Sequence, residues 1–110
     1  MGRDTLGEFE LFVLLAVLRL GEADAYALAI VDLIADRAGR KVRRSAVYTT
    51  LKRLEDKGFV SSYLGAPRAE RGGKARRHIR LEPAGLEAVH ESRAALERMW
   101  GGLDTAPESA

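Results

Sequence analysis

Three glycines, at positions 21, 39 and 58, cut the N-terminal part of the chain into three helix-length pieces, each too short to stand alone and each with its own apolar pattern. Leu6 to Leu20 reads as a first helix, apolar nearly all round, with Phe9, Phe12, Val13, Ala16, Val17 and Leu20 on one face. Asp24 is placed to cap a second helix, in which Leu28, Val31, Leu33 and Ile34 supply the buried stripe and Gly39 the C-terminal cap. A short extended piece at Lys41-Val42 leads to a third helix from Arg44 to Lys57. Val47, Leu51 and Leu54 fall there at i, i+4 and i+7 and fix the inward face.

Beyond Gly58 the period changes. Phe59 to Leu64 reads as a strand and Arg76 to Leu81 as its partner, with His78, Arg80 and Glu82 alternating against Arg77, Ile79 and Leu81. The connection, Gly65 to Lys74, is long for a hairpin, rich in turn formers and carries three positive charges. Pro83 opens a fourth helix running to Trp100. The predicted fold is mainly α with a small β-hairpin: a winged helix-turn-helix in the order helix, helix, helix, strand, wing, strand, helix. Its expected divisions are an N-terminal arm (1–5), the winged domain (6–82), a dimerisation helix (83–103) and a flexible tail (104–110).

The outward side of the third helix offers Ser45, Tyr48, Thr49, Lys52 and Arg53, all able to donate hydrogen bonds. A short helix of that kind can enter the major groove and reach base edges, while a hairpin with a cationic tip lies along neighbouring phosphates. The charge distribution points the same way. Net charge is only +2, yet the span from Arg37 to Arg80 holds 14 of the 18 basic residues and three of the 16 acids. A surface built for a polyanion, with an acidic remainder facing elsewhere, has that signature. Double-stranded DNA is the expected partner. A winged helix that docks proteins without binding DNA is the alternative, and the basic span argues against it. RNA is disfavoured, because the strands offer only Phe59 and Tyr63 as stacking residues.

Other classes find little support. There is no cysteine, which removes disulfides, thiolate metal sites and a thiol nucleophile. His78 and His90 are too isolated for a metal site or a general base, no catalytic constellation is evident, and neither metal nor cofactor is expected. Gly72-Gly73 followed by basic residues lacks a Walker pattern, so nucleotide binding there is not expected. The longest apolar run, Leu11 to Leu18, is well below the roughly 20 residues needed to cross a bilayer. No secretory leader is evident either, and the expected location is the cytoplasm.

Leu86, Val89, Arg93, Leu96, Trp100 and Leu103 follow 3-4 spacing, the seam of a short coiled coil. Such a seam calls for a partner, as does the excess apolar surface of the first helix. Arg93 is its weak point, with Glu10, Glu97 or water as candidate neighbours.

Several stretches carry a family resemblance. Leu6-Gly7-Glu8-Phe9-Glu10-Leu11, Tyr26, the run Ala46-Val47-Tyr48-Thr49-Thr50-Leu51-Lys52-Arg53-Leu54-Glu55-Asp56-Lys57-Gly58, Glu70 to His78 with its Arg71-Gly72-Gly73-Lys74 core, and Leu81-Glu82-Pro83-Ala84-Gly85 resemble the PadR family of transcriptional regulators. The short final helix is similar to the smaller subgroup of that family. The resemblance runs from about Leu6 to Leu103 and implies a homodimer, usually a repressor. Phe9, Phe12 and Val13 of the first helix and Leu86, Val89, Leu96, Trp100 and Leu103 of the last would form its interface. A DNA-binding set follows: Arg43, Arg44, Ser45, Tyr48, Thr49, Lys52 and Arg53 on and before the third helix, and Arg71, Gly72, Gly73, Lys74, Arg76 and Arg77 in the wing. Trp100 reads first as an interface anchor. The likeness to drug-responsive members suggests that paired Trp100 residues line a pocket for a small planar apolar effector. Three positions depart from the family pattern. Arg43 stands for the usual Ser before the third helix, opposing the helix dipole unless a phosphate is near. Ser45 replaces a small residue and offers a late cap, and Glu82 replaces the usual Thr before Pro83.

Overall fold

The structure, a computed structural model, describes residues 6–65 and 76–103. The expected arm (1–5), wing tip (66–75) and tail (104–110) lie outside the described residues. Six elements follow in the expected order: α1 (Glu8–Leu20), α2 (Ala27–Ala38), α3 (Arg44–Asp56), β1 (Val60–Leu64), β2 (Arg77–Leu81) and α4 (Pro83–Trp100).

α1 starts later than the apolar pattern suggests, because Gly7 stays extended and its N–H donates to the Glu10 side chain at 3.0 Å. That bond satisfies one of the amide donors which a helix start leaves over. α2 corrects the sequence reading more substantially. Asp24 does not cap it; the cap position is Tyr26, which makes no side-chain capping bond. The cause is tertiary. Residues around Asp24 are folded into a turn, with the Asp24 N–H donating to the Gly21 carbonyl at 3.2 Å, and the Ala25 carbonyl accepts from the Ile79 N–H at 2.8 Å. The α1–α2 connection is thereby held to the free edge of β2, and α2 starts only after that rung. Its inward stripe is accordingly Ala27, Ile30 and Ile34, whereas Leu28 is 44% exposed. At its end Gly39 takes the left-handed conformation (φ +65) expected of a C-terminal cap.

β1 and β2 pair antiparallel, from Val60 opposite Leu81 to Leu64 opposite Arg77. Val60 and Ile79 reach the core, where they join Val13, Leu14 and Val17 of α1, Ile30 and Ile34 of α2, and Val47, Leu51 and Leu54 of α3. Burying a side chain of this size stabilises the fold by about 1.5–3 kcal/mol, so the three helices and the hairpin depend on one another.

α4 packs on this body only through its first half, burying Gly85, Ala88 and Val89. Gly85 is required by closeness of approach. A Cβ there would lie 2.2 Å from the Phe59 carbonyl oxygen, the same oxygen that accepts the Glu82 N–H at 3.0 Å. From Arg93 onward every described residue is exposed. Among the described residues no helix is long and apolar enough to cross a membrane.

Candidate nucleic-acid interface

The inward face of α3 is Val47, Thr50, Leu51 and Leu54; the outward face is Arg44, Ser45, Tyr48, Thr49, Lys52 and Arg53, all exposed. Tyr48 is 55% exposed although it adjoins the fully buried Val47. At the helix start Arg43 is exposed and makes no side-chain capping bond. The first intrahelical donors are the amides of Ala46 and Val47, both to the Arg43 carbonyl, so the Arg44 and Ser45 amides remain as outward donors beside two guanidinium groups.

A groove of about 580 Å³ runs between α3 and the hairpin, lined by Arg44, Tyr48 and Lys52 on one side and Arg76 and Arg77 on the other. Its wall is completed by Tyr26, Ala27 and the exposed Leu28, by Leu51 and the acid Glu55 of α3, and by Ser62 and Ile79 of the hairpin. Both hairpin arginines are oriented by neighbours. The Arg76 guanidinium lies 4.1 Å from the centre of the Tyr26 ring, and an Arg77 Nη1 donates to the Ser62 hydroxyl at 3.1 Å. The structure therefore brings Arg44, Tyr48, Lys52, Arg76 and Arg77 together, while Arg43, Ser45, Thr49 and Arg53 stand outside this groove on or before the same helix. Arg71, Gly72, Gly73 and Lys74 lie outside the described residues.

Not every cation of the basic span is free to meet a polyanion. Lys57, at the end of α3, donates from Nζ to both carboxylate oxygens of Glu10, at 3.2 and 3.3 Å, and sits 5.9 Å from the Phe59 ring centre. Arg53 Nη1 is 3.9 Å from the same carboxylate. Arg40 pairs with Glu8 at 2.8 Å and stands 5.0 Å over the Phe12 ring; Lys52 pairs loosely with Asp56 at 3.7 Å; Arg80 is bound by Glu22. The span's charge, counted along the sequence, overstates the cationic surface it presents.

Glu10 is the residue the sequence reading missed. It is 7% exposed, and burial alone would raise its pKa. The Gly7 amide, the hydrogen bond and charge of Lys57 and the charge of Arg53 outweigh that, holding the carboxyl below its ordinary value. A signal was available, since Glu10 is the only charged residue between Phe9 and Leu18. Glu22 was missed as well. Besides binding Arg80, its carbonyl oxygen lies 3.4 Å from the Tyr63 hydroxyl and 3.3 Å from His78 Nδ1. His78 stacks on Tyr63 (centroids 5.5 Å apart) and meets Tyr26 edge-on, a strand histidine as expected. Glu82 caps α4 only through its backbone; its carboxylate accepts the Ser61 hydroxyl at 2.6 Å.

The expected dimer surface needs correction at two positions. Val13 is fully buried and Val89 is 6% exposed, both inside the protomer's own core, so neither is available to a partner. Leu86, Leu96, Trp100 and Leu103 are exposed, as is Met99, which the spacing argument passed over; Phe9 and Phe12 are half-buried. A groove of about 820 Å³ between α1 and α4 includes Leu11, Phe12, Ala95 and Leu96; Trp100 lies outside it. Arg93 pairs with Glu97 on its own helix at 2.9 Å, which decides among its candidate neighbours. No set of three or more metal-ligating side chains is clustered among the described residues.

Three helices, a hairpin tied to the connection that precedes the second helix, and an exposed polar third helix define the winged helix-turn-helix class. Within that class the sequence narrows the assignment further. Residues 14–91 match the model of the transcriptional regulator PadR-like family, and the chain belongs to that family. The family is one of transcriptional regulators. Solved structures agree on the fold. A PadR family transcriptional regulator from Eggerthella lenta is 26% identical with a TM-score of 0.66, over 94% of this chain and 88% of that one. A transcriptional regulator from Clostridium thermocellum is 22% identical with a TM-score of 0.68, over 83% and 84%. PadR of Bacillus subtilis, solved in complex with operator DNA, is 20% identical with a TM-score of 0.62, over 78% of this chain and 47% of that one. No curated protein matches the sequence.

Proposed function

We propose that the protein acts as a homodimeric, cytoplasmic repressor without enzymatic activity, reading an inverted-repeat operator with the outer face of α3. The observation that carries this reading is the groove in which Arg44, Tyr48 and Lys52 face Arg76 and Arg77. It sets a donor-bearing helix beside a cationic hairpin, as a duplex with its phosphate rails requires. The operator complex of the Bacillus subtilis relative supports the same use of the fold.

Arg43, Arg44 and the free first-turn amides are suited to phosphate, and Tyr48 to phosphate through its hydroxyl. Ser45, Thr49 and Lys52 are suited to base edges, while Arg53, named from the sequence for the same surface, is turned toward Glu10. Arg76 and Arg77, with Arg71, Gly72, Gly73 and Lys74, extend the contact along flanking phosphates. The exposed apolar residues of α1 and α4 (Leu15, Leu18, Leu86, Leu96, Trp100) supply the surface for a second copy. Dimerisation there would set the two copies of α3 about 34–36 Å apart, one turn of B-DNA. Occupancy of a promoter then blocks polymerase. A planar apolar effector at the Trp100 end relieves it only if it binds the free and DNA-bound states unequally.

The test is fluorescence anisotropy with a duplex enriched from a random pool, beside a scrambled duplex, at several salt concentrations. Preferential binding with a log–log slope of about −0.9 per neutralised phosphate supports the reading. No binding even at low salt moves the fold to protein docking. Trp100 emission titrated with planar aromatics tests the effector.

A further inference from the structure

Glu10 is a buried carboxylate that DNA contact does not use. It stands on α1, and both cations that meet it, Lys57 and Arg53, come from the end of α3. The Glu10 side chain is 10% exposed and that of Lys57 20%, whereas Arg53 remains 55% exposed at a looser distance. A largely buried pair with both carboxylate oxygens in contact fixes geometry in a way that a solvated surface pair does not. The two ends of α3 are therefore held differently. The C-terminal end is latched to α1 by an ion pair, and the N-terminal end presents its amides and arginines unpaired.

We infer that Glu10 is a positioning residue for DNA recognition: it anchors the end of α3 and withholds Lys57 and Arg53 from the phosphates, so that discrimination falls to the N-terminal half of the helix. The inference rests on α3 being the DNA-reading helix. The physical reason is that phosphate contacts add affinity for every sequence alike, whereas base contacts separate one sequence from another. Two loose cations at the end of α3 would lift binding to every duplex alike and steepen its salt dependence without adding to discrimination.

The experiment compares the wild type with Glu10→Gln, which keeps the shape and an acceptor for Gly7 but removes the charge. Each binds the enriched and the scrambled duplex across a salt series. Glu10→Gln is expected to bind both duplexes more tightly at low salt, by about the same factor, leaving the preference for the enriched duplex unchanged, with a log–log slope steeper by about 0.9 per released cation. A second variant, Glu10→Gln with Lys57→Met, removes both buried charges together, which such pairs generally tolerate. It is expected to keep only the share of the steepening due to Arg53, about one contact. Weakening of both duplexes in parallel at unchanged slope would mean that Glu10 is merely structural and would overturn the inference. So would full steepening retained in the double variant, or no change of slope in it. Failure of the wild type to bind either duplex is a separate result: it strikes the DNA-reading assignment itself and is seen before any variant is made.

Discussion

The two ends of α3 carry similar residues and are used differently. Arg43 and Arg44 at its start have solvent around them and unpaired helix amides beside them, and Arg44 faces Arg76 and Arg77 across a groove. Arg53 and Lys57 at its end face the buried Glu10. Counted along the chain, all four are equal contributions to one basic span. In the folded molecule one pair is available to a polyanion and the other holds two helices together. Formal charge on a helix thus describes its function only after the charges already answered by the protein are set aside.

The largest expected effect comes from cutting the latch. Glu10→Ala leaves Lys57 without its carboxylate and Gly7 without its acceptor, and should lower stability by about 1.5–3 kcal/mol, the worth of hydrogen bonds to a charged group. Arg44→Ala should change stability by less than about 0.5 kcal/mol, as ordinary surface substitutions do. Denaturant unfolding of the two variants separates the ends of the helix directly; equal losses would erase the distinction.

The reverse contrast is expected for DNA. Arg44→Ala should weaken binding of every duplex by about the same factor and make the log–log salt slope shallower by about 1, as loss of a phosphate contact does. Lys57→Met should leave affinity within about threefold of the wild type, its charge being spent on Glu10 rather than on phosphate. A salt titration of each variant checks both statements.

Acid provides a gentler probe of the same latch. The Glu10 carboxyl titrates below its ordinary value in the folded protein, so its stabilising contribution is fully present above its unfolded pKa, near 4.5. That contribution is lost as pH falls through the lower folded value. Stability measured by thermal melting should decline below about pH 4.5, and Glu10→Gln should decline less steeply over the same interval. A matching decline would assign the acid sensitivity to other carboxylates. The smallest effect belongs to Lys52→Gln, whose exposed pair with Asp56 should contribute no more than about 0.5 kcal/mol to folding.

What was legible in the sequence was whatever rests on local periodicity. The inward face of α3 through Val47, Leu51 and Leu54, the outward face through Tyr48 and Thr49, the cap at Gly39 and the start of α4 at Pro83 each follow from a repeat or a residue with one preferred backbone state. What was not legible depends on elements distant in sequence. Asp24 fails as a cap because Ile79, far along the chain, takes the Ala25 carbonyl. Val89 by its spacing and Val13 by the family resemblance read as interface residues, yet the body of the same protomer already covers them. The groove partners Arg76 and Arg77 were named as wing cations, but their orientation by Tyr26 and Ser62 is a tertiary fact. Glu10 was quoted within a motif and weighed as a neighbour of Arg93, since nothing local reveals that two cations of α3 converge on it.

The central claim is that the start of α3 and the base of the hairpin form one DNA-binding surface. Its most direct measurement is fluorescence anisotropy of an enriched duplex with the wild type and with the double variant Arg44→Ala/Arg76→Ala, across a salt series. The expected result is a loss of about a hundredfold in affinity and a log–log slope shallower by about two contacts, with the fold intact by circular dichroism. Unchanged affinity and slope in the folded double variant would contradict the account and place the DNA contact elsewhere on the molecule.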